Sequence, residues 1–381
     1  MNINKITYCI TIIGFLLFSC NKENLVERIN LDKSAEKDIN LTNIGDSVKY
    51  IVLDNYKILD KIPIIRICEK YIFIWSYSDG LLKYSEDGKF ISQIGAIGRG
   101  PNEYGKYSSF DINSILEEIY ILSWEKIYVY HFNGKFLREI DFEVGYFMHQ
   151  IDFLPPNKLI LSTFNSYGDS PLNWMTIDIN GVTISEKKNY IKFKPKELFG
   201  IIPSLITFKF DNCIFYYEQM NDTIFKINSF GIVNPEYVFE NTNDRLTPEV
   251  YKNGLLNISS YNIPKSILET PRYLMILSSK SSKEKLFMFD KKKKYLINTK
   301  QGLSSIYNNY DNGLSFIPTI ITNNNWGVQV LYAYELKAHV ASKAFKNSTP
   351  KYPEKKKELV QLANSLNEND NPVLMMVKLK D

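Results

Sequence analysis

Three glycines, an arginine and a glutamate stand close together in the segment IGAIGRGPNEY, residues 94–104. Glycine-rich segments that open a helix bind phosphate through backbone amides. Here the glycines have the spacing G-x-x-G-x-G, which fits neither the dinucleotide fingerprint nor the phosphate loop, and the following residues predict strands. We therefore interpret the segment as a connection between strands, with Arg99 and Glu103 as candidate ligand-binding residues.

Four further candidate ligand-binding residues lie on or beside predicted strands: Arg66, His149, Lys209 and Arg272. Cations grouped around one opening would suit a carboxylate or an acidic sugar. The simpler interpretation of Arg99 and Glu103 is that they bond backbone groups of the connection. A lone histidine such as His149 provides neither a metal site nor a base with an orienting partner, so we assign no catalytic and no metal-binding residue.

The composition is that of a globular protein rich in β structure. Of the 381 residues, 44% are hydrophobic and 23% charged, which argues against a disordered chain. The aromatic share is 14%, with 26 Tyr and 23 Phe, and aromatic side chains favour half-buried strands. A net charge of only +4 over 46 basic and 42 acidic residues argues against a nucleic-acid partner.

An internal repeat predicts the fold. The segments YSEDGKFISQI, YHFNGKFLREI and IDINGVTISEK align on turn glycines at Gly88, Gly134 and Gly181, about 47 residues apart. Asp-Gly or Asn-Gly between alternating apolar residues is a strong hairpin signal. Further strands precede each turn, and four short strands per unit are typical of a β-propeller.

The length of the chain favours six blades and a closed ring. About 330 residues follow position 48, and without about 50 residues of insertions they accommodate six units. We expect the strand at 47–54 to pair with the C-terminal strand at 372–380 and to remove two sheet edges. A helical insertion is predicted at about 335–368, so that residues 46–381 form one six-bladed β-propeller.

The N-terminus predicts export and a lipid anchor. Lys5 precedes an apolar run at 6–18 and then Ser19 and Cys20, the pattern of a secretory signal peptide over residues 1–20. The ending LFSC resembles a bacterial lipobox, which implies acylation of Cys20 and stable anchoring by several chains. The alternative is a fortuitous cysteine at the end of an ordinary signal peptide. Residues 21–45 are polar and are interpreted as a tether.

The first repeat also carries a family resemblance. DGKFISQIGAIGRGPNEYGKYSSFDIN resembles the repeat of NHL-type propellers, in which a G-K-F strand precedes a glycine-rich connection. With the lipobox and the ending NPVLMMVKLK, the chain resembles the six-bladed β-propeller lipoproteins of Gram-negative gut bacteria. This resemblance implies the fold and an outer-membrane address, periplasmic or surface-exposed, and it transfers no catalytic residues.

We therefore expect a monomeric binding or scaffold module without a cofactor. Its partners would be outer-membrane lipid through Cys20 and a peptide, a glycan or another envelope protein. The alternative is an NHL-like hydrolase or lyase with a divalent cation in the central channel. A third hypothesis is a structural subunit of an outer-membrane uptake complex, which would expose a large apolar patch.

Overall fold

The described part of the chain forms six sheets arranged as the blades of a propeller. The structure is a computed structural model that describes residues 26–59, 62, 64–106, 108–123, 126–165, 168–194, 205–240, 246–252, 260–300 and 303–381. The predicted signal peptide and Cys20 lie outside these ranges. No helix among the described residues is long and apolar enough to cross a membrane.

Short elements precede the first blade: β1 (Glu27–Ile29), a 3₁₀ helix (Leu31–Lys33), β2 (Ala35–Glu36), α1 (Leu41–Ile44) and β3 (Gly45–Val52). Blades one to three follow, each with four consecutive strands. Blade one consists of β4 (Ile64–Ile67), β5 (Tyr71–Ser76), β6 (Gly80–Ser85) and β7 (Phe90–Ile94). Blade two consists of β8 (Ser109–Asn113), β9 (Glu118–Ser123), β10 (Lys126–His131) and β11 (Phe136–Asp141), and blade three of β12 (Gln150–Leu154), β13 (Lys158–Ser162), β14 (Leu172–Asp178) and β15 (Thr183–Lys188).

Blades four to six complete the ring. Blade four consists of β16 (Leu205–Phe210), β17 (Cys213–Glu218), β18 (Thr223–Ile227) and β19 (Val233–Phe239), and the short helix α2 (Pro248–Lys252) follows it. Blade five consists of β20 (Ile263–Glu269), β21 (Tyr273–Lys280), β22 (Lys283–Asp290) and β23 (Tyr295–Asn298). Blade six contains β24 (Ile320–Ile321), β25 (Trp326–Leu331), the three helices α3 (Ala333–Ala341), α4 (Lys343–Asn347) and α5 (Pro353–Ser365), and β26 (Val373–Leu379).

The repeated turn glycines share one backbone conformation. Gly88, Gly134 and Gly181 have φ of +88°, +90° and +93°, which glycine adopts at no steric cost, and each closes the hairpin between the third and fourth strands of its blade. The hydrophobic core lies between neighbouring blades: Phe73 and Trp75 of blade one pack with Phe110 of blade two. The predicted six-bladed propeller is therefore confirmed.

A strand near the start of the described chain and the C-terminal strand close the ring. Strand β3 is the outer strand of blade six and pairs antiparallel with β26, from Val373 opposite Val52 to Leu379 opposite Gly45. The predicted pairing of these segments is confirmed, and it removes an open edge from each. The helical insertion is confirmed too. Helices α3 to α5 lie between β25 and β26, and their buried side chains pack against Tyr50 and Val52 of β3.

Residues 27–36, which the sequence assigned to a tether, add strands to two blades. Strand β1 pairs parallel with β19, the outer strand of blade four, and β2 pairs with β23, the outer strand of blade five. Ile29 and Leu31 are buried in the core between these blades. Strands of two or three residues contain too little alternation to be visible in a sequence, so the pattern did not indicate them.

The two faces of the propeller differ. We call the lower face the one with the first and third turns of each blade, and the upper face the one with the second turns and the connections between blades. The described residues between the outer strand β7 and the inner strand β8, 95–106 and 108, lie at the upper face, where the sequence predicted a connection between blades. The helical insertion follows β25, so it also begins at the upper face.

Ring closure makes a prediction about truncation. Deleting residues 372–381 removes β26 and leaves β3 without its partner, so we expect the whole propeller to lose its cooperative melting transition. Deleting only residues 380–381 keeps all the strand pairs and should change the melting temperature little. Circular dichroism melts of both variants test this, and a 372–381 deletion with the wild-type melting temperature contradicts closure by β26.

Candidate functional site

The inner strands of the blades surround a channel of about 1410 Å³. First strands of neighbouring blades contact one another, as β8 does with β12 and β16 with β20. Three of the candidate residues line this channel, namely Arg66 on β4, His149 just before β12 and Lys209 on β16. Arg99, Glu103 and Arg272 do not line it.

Charged and polar side chains from four blades meet on the channel wall. We call them the channel girdle: Arg66, Asp111, Asp152, Thr207 and Lys209. The Arg66 Nε donates to Asp111 Oδ1 at 2.8 Å, and its Nη2 lies 3.9 Å from Asp152 Oδ1. Lys209 Nζ pairs with the other oxygen of Asp111, and Thr207 Oγ1 donates to Asp152 Oδ2 at 2.8 Å.

The girdle follows from the repeat. Arg66, Asp111, Asp152 and Thr207 are each the third residue of the first strand of their blade, so the repeat places them at one level of the channel. Asp111 also accepts a hydrogen bond from the backbone N–H of Phe153 at 2.5 Å and thereby joins blade two to blade three. The girdle is therefore an element that connects blades as well as a polar lining.

The acids of the girdle are buried and the bases are accessible. The side chains of Asp111 and Asp152 are 1% and 4% exposed, whereas those of Arg66 and Lys209 are 23% and 33% exposed. A ligand in the channel therefore meets the two cations, because the carboxylates lie behind them. Charge-assisted hydrogen bonds hold these cations in place before any ligand arrives.

Burial and charge act in opposite directions on the two acids. Burial raises the pKa of Asp111, but the Lys209 and Arg66 charges outweigh it and hold that pKa below its ordinary value. Burial raises the pKa of Asp152 more than the Lys209 charge lowers it. The negative charge of the neighbouring Asp111 raises the pKa of Asp152 further, so this pKa lies above its ordinary value. Asp111 is thus the strongly ionised acid that fixes both cations.

His149 lies at the upper end of the channel in an aromatic setting. Its ring lies 4.7 Å from that of Phe147 and 4.8 Å from that of Phe164, and Nδ1 is 3.2 Å from Thr163 Oγ1. Burial lowers the pKa of His149, which favours the neutral ring. The upper opening therefore has an aromatic rim, to which Tyr332 also contributes.

The glycine-rich connection is braced by its own side chains. Glu103 Oε2 accepts from the Gly100 N–H at 2.7 Å, which agrees with the simpler interpretation of this residue, and Arg99 is exposed. Tyr104 is fully buried, and its hydroxyl donates to Ile94 O at 2.5 Å and accepts from the Leu81 N–H at 3.1 Å. These contacts fasten the connection to blade one and use the glutamate for structure.

Arg272 lies in the first turn of blade five, on the lower face. Its guanidinium donates to Asp290 Oδ2 from Nε at 3.2 Å and from Nη2 at 3.1 Å. Within the lysine run of the same blade, Lys291 pairs with buried Glu269 at 2.7 Å and Lys294 pairs with Glu27. Lys292, Lys293 and Lys294 are exposed, whereas Lys291 is partly buried.

The candidate residues did not include the two acids of the girdle, Asp111 and Asp152. Their signal was present in the sequence: SFDIN and QIDFL have an aspartate at the same position of two successive first strands. An aspartate within an apolar strand is costly unless it is paired, so its repetition points to a shared interior site. No group of three or more His, Cys, Asp or Glu side chains with metal-ligand geometry occurs in the described ranges.

Fold and site together define a six-bladed β-propeller whose channel wall carries two accessible bases held by buried acids. The chain belongs to the family described as "Domain of unknown function (DUF4934)", whose model matches residues 26–378. No curated protein matches the chain.

Two solved structures support the fold. A "Putative exported protein" from Bacteroides fragilis has a TM-score of 0.71 at 20% identity and covers 93% of this chain and 100% of its own. A member of the DUF4221 family from Bacteroides vulgatus has a TM-score of 0.50 at 9% identity and covers 88% of this chain and 97% of its own. At these identities the likeness concerns the fold alone.

The contacts of Tyr104 predict the effect of removing its hydroxyl. Tyr104→Phe leaves the buried Leu81 N–H without its acceptor, which costs about 1–3 kcal/mol of unfolding free energy. The control is Tyr56→Phe, because Tyr56 is 74% exposed and should tolerate the change. Urea denaturation measures both variants, and equal stabilities for Tyr104→Phe and wild type would refute the bracing role.

The pairing of Asp111 predicts a pH dependence. Because its folded pKa is depressed, its stabilisation is present above the unfolded pKa of about 3.9 and is lost as the pH falls through the folded value. Asp111→Asn should therefore cost about 3 kcal/mol at neutral pH and progressively less below about pH 4. Urea denaturation at neutral pH and below about pH 4 measures the variant, with Asp87→Asn, which changes an exposed ion pair with Lys89, as the control. A stability difference between wild type and Asp111→Asn that does not change with pH would contradict the prediction.

Proposed function

We propose that this protein is an exported, lipid-anchored envelope propeller that acts as a binding module for a ligand bearing a carboxylate. One observation carries the proposal: Arg66 and Lys209 are partly exposed to the channel and are held by buried carboxylates. The ligand class is an acidic glycan or a peptide, and the binding site is the channel girdle.

Two observations support the address. The N-terminal sequence has the three parts of a signal peptide and ends in Cys20, and a structural relative of full length carries the name of an exported protein. Acylation of Cys20 would anchor the propeller in the outer membrane. The NHL-like repeat of the first blade agrees with this address, because it resembles that of lipoproteins from Gram-negative gut bacteria.

The channel has the size and the chemistry for such a ligand. Pockets for small molecules measure about 300–1,000 Å³, so a channel of about 1410 Å³ has room for an oligosaccharide or a short peptide. In the guanidinium of Arg66, Nε donates to Asp111 and Nη1 donates to Ile65 O at 3.1 Å, whereas Nη2 lies 3.9 Å from Asp152 and can pair with a carboxylate of the ligand. Binding then requires little rearrangement of the girdle.

The metal-dependent hydrolase or lyase has less support. Both carboxylates of the girdle are already engaged, Asp111 by two cations and Asp152 by Thr207 and by Gln150 at 2.9 Å. A divalent cation would compete with Arg66 and Lys209 for the same oxygens. It remains the alternative that the binding experiment also tests.

The proposal predicts a charge-dependent loss of binding. The full-length protein, purified in detergent, is applied to arrays of neutral and uronic-acid glycans and of peptides, and calorimetry follows on any ligand retained. Lys209→Gln should weaken binding of the acidic ligand about tenfold or more, since a hydrogen bond to a charged group contributes about 1.5–3 kcal/mol. Arg66→Lys keeps the charge but loses the forked guanidinium donors, so it should also weaken binding of the acidic ligand.

The matched control is Lys89→Gln, which removes an equal charge from an exposed turn and should bind like wild type. Equal affinities of wild type and Lys209→Gln would place the ligand elsewhere. A requirement for Ca²⁺ or Zn²⁺ in binding or in turnover of the retained ligand would instead favour the enzyme.

A further inference from the structure

The chain enters the propeller from the lower face. Strand β1 runs parallel with β19, and β19 follows the third turn of blade four and so runs from the lower to the upper face. Glu27, at the start of β1, pairs with Lys294 in the third turn of blade five, which is also on the lower face. The register places Glu27 opposite Tyr237 of β19, and the ion pair with Lys294 places the start of β1 within reach of the third turn of blade five on the lower face.

The predicted lipid site is close to this entry point in the sequence. Cys20 precedes Glu27 by seven positions, and an extended chain spans at most about 3.6 Å per residue, so the two are separated by about 25 Å at most. This inference rests on the acylation of Cys20 in the proposed function. If Cys20 is held in the bilayer, the short segment keeps the entry point near the bilayer surface.

The two turns beside the entry point differ from their equivalents in the other blades. The residue before the turn glycine is Asp87, Asn133 and Asn180 in blades one to three, but it is Phe230 in blade four. Phe230 is 80% exposed, and an Asx turn with Asn228 Oδ1 accepting from its N–H at 3.0 Å holds it at the tip.

Ile232, on the same turn, is 54% exposed. In blade five the equivalent turn is the lysine run, of which Lys292 and Lys293 are exposed.

Exposed aromatic and aliphatic side chains next to lysines are the chemistry of a bilayer surface. Apolar side chains enter the boundary between headgroups and acyl chains, and lysines are attracted to anionic headgroups. Of the acids near these turns, Glu27 pairs with Lys294, Asp290 with Arg272 and buried Glu269 with Lys291. Asp211 in the first turn of blade four is exposed, and Glu236 on β19 is partly exposed.

We propose that the lower-face turns at 228–232 and 291–294 rest on the surface of the bilayer that holds the anchor, with Phe230 and Ile232 in the interface and Lys292 and Lys293 on anionic phospholipid. The upper opening of the channel, with His149 and its aromatic rim, then faces away from the membrane.

Hydrogen–deuterium exchange on vesicles tests this orientation. The full-length acylated protein is reconstituted into vesicles of phosphatidylethanolamine and phosphatidylglycerol, and mass spectrometry compares its exchange with that in detergent. We expect slower exchange in peptides covering 228–232 and 291–294, and unchanged exchange at 143–149 and 332–336 on the upper face. Vesicles of phosphatidylcholine alone should protect the two turns less.

Two variants separate the charges from the apolar contact. Lys292→Gln with Lys293→Gln should weaken the contact about fivefold for each lysine, about 30-fold together, and return the exchange to the level in phosphatidylcholine. Phe230→Ser should also reduce the protection. The matched control is Lys343→Gln with Lys346→Gln, which removes two exposed lysines from α4 and should leave the protection intact.

Unchanged exchange in both turns, with the acyl chains on Cys20 verified by intact mass, would overturn the orientation and leave the anchor standing. Protection of the upper-face peptides would show the reverse orientation. An unmodified Cys20 would refute the anchor and this orientation with it. The binding experiments on the girdle would still test the proposed ligand site, because they do not depend on acylation.

Discussion

The pairing of β3 with β26 is the constraint on which the rest of the structure depends. It joins two segments that are far apart in the sequence, 45–52 and 373–379, and so turns a row of blades into a ring. The channel has a fixed width only in the closed ring. The girdle needs that width, because Arg66 of blade one must reach Asp111 of blade two and Asp152 of blade three at the same time.

The repeat made the fold predictable, whereas the girdle was only partly predictable. Asp-Gly and Asn-Gly turns between alternating apolar residues identify hairpins locally, and their regular spacing implies blades. Arg66 and Lys209 were candidates from charge and strand position. Their partner Asp111 was not, because its role depends on neighbours 45 and 98 residues away in the sequence. Strands β1 and β2 escaped prediction because they are too short to show a period.

Buried acids that hold accessible bases are an expensive way to line a channel. Apolar side chains of similar volume would often stabilise a core as well or better than a buried ion pair. An apolar wall, however, would not replace the hydrogen bonds to water that a polar ligand loses on binding. In the girdle the desolvation of Asp111 is offset by two cations and a backbone N–H, and those cations keep part of their surface for a ligand.

The two faces of the propeller differ in the segments that they carry. The lower face consists of short turns, with the basic and apolar ones beside the point where the chain enters, whereas the long connections and the helical insertion begin on the upper face. In the orientation proposed above, a ligand entering through the upper opening would meet the aromatic rim around His149 before it reached Arg66 and Lys209.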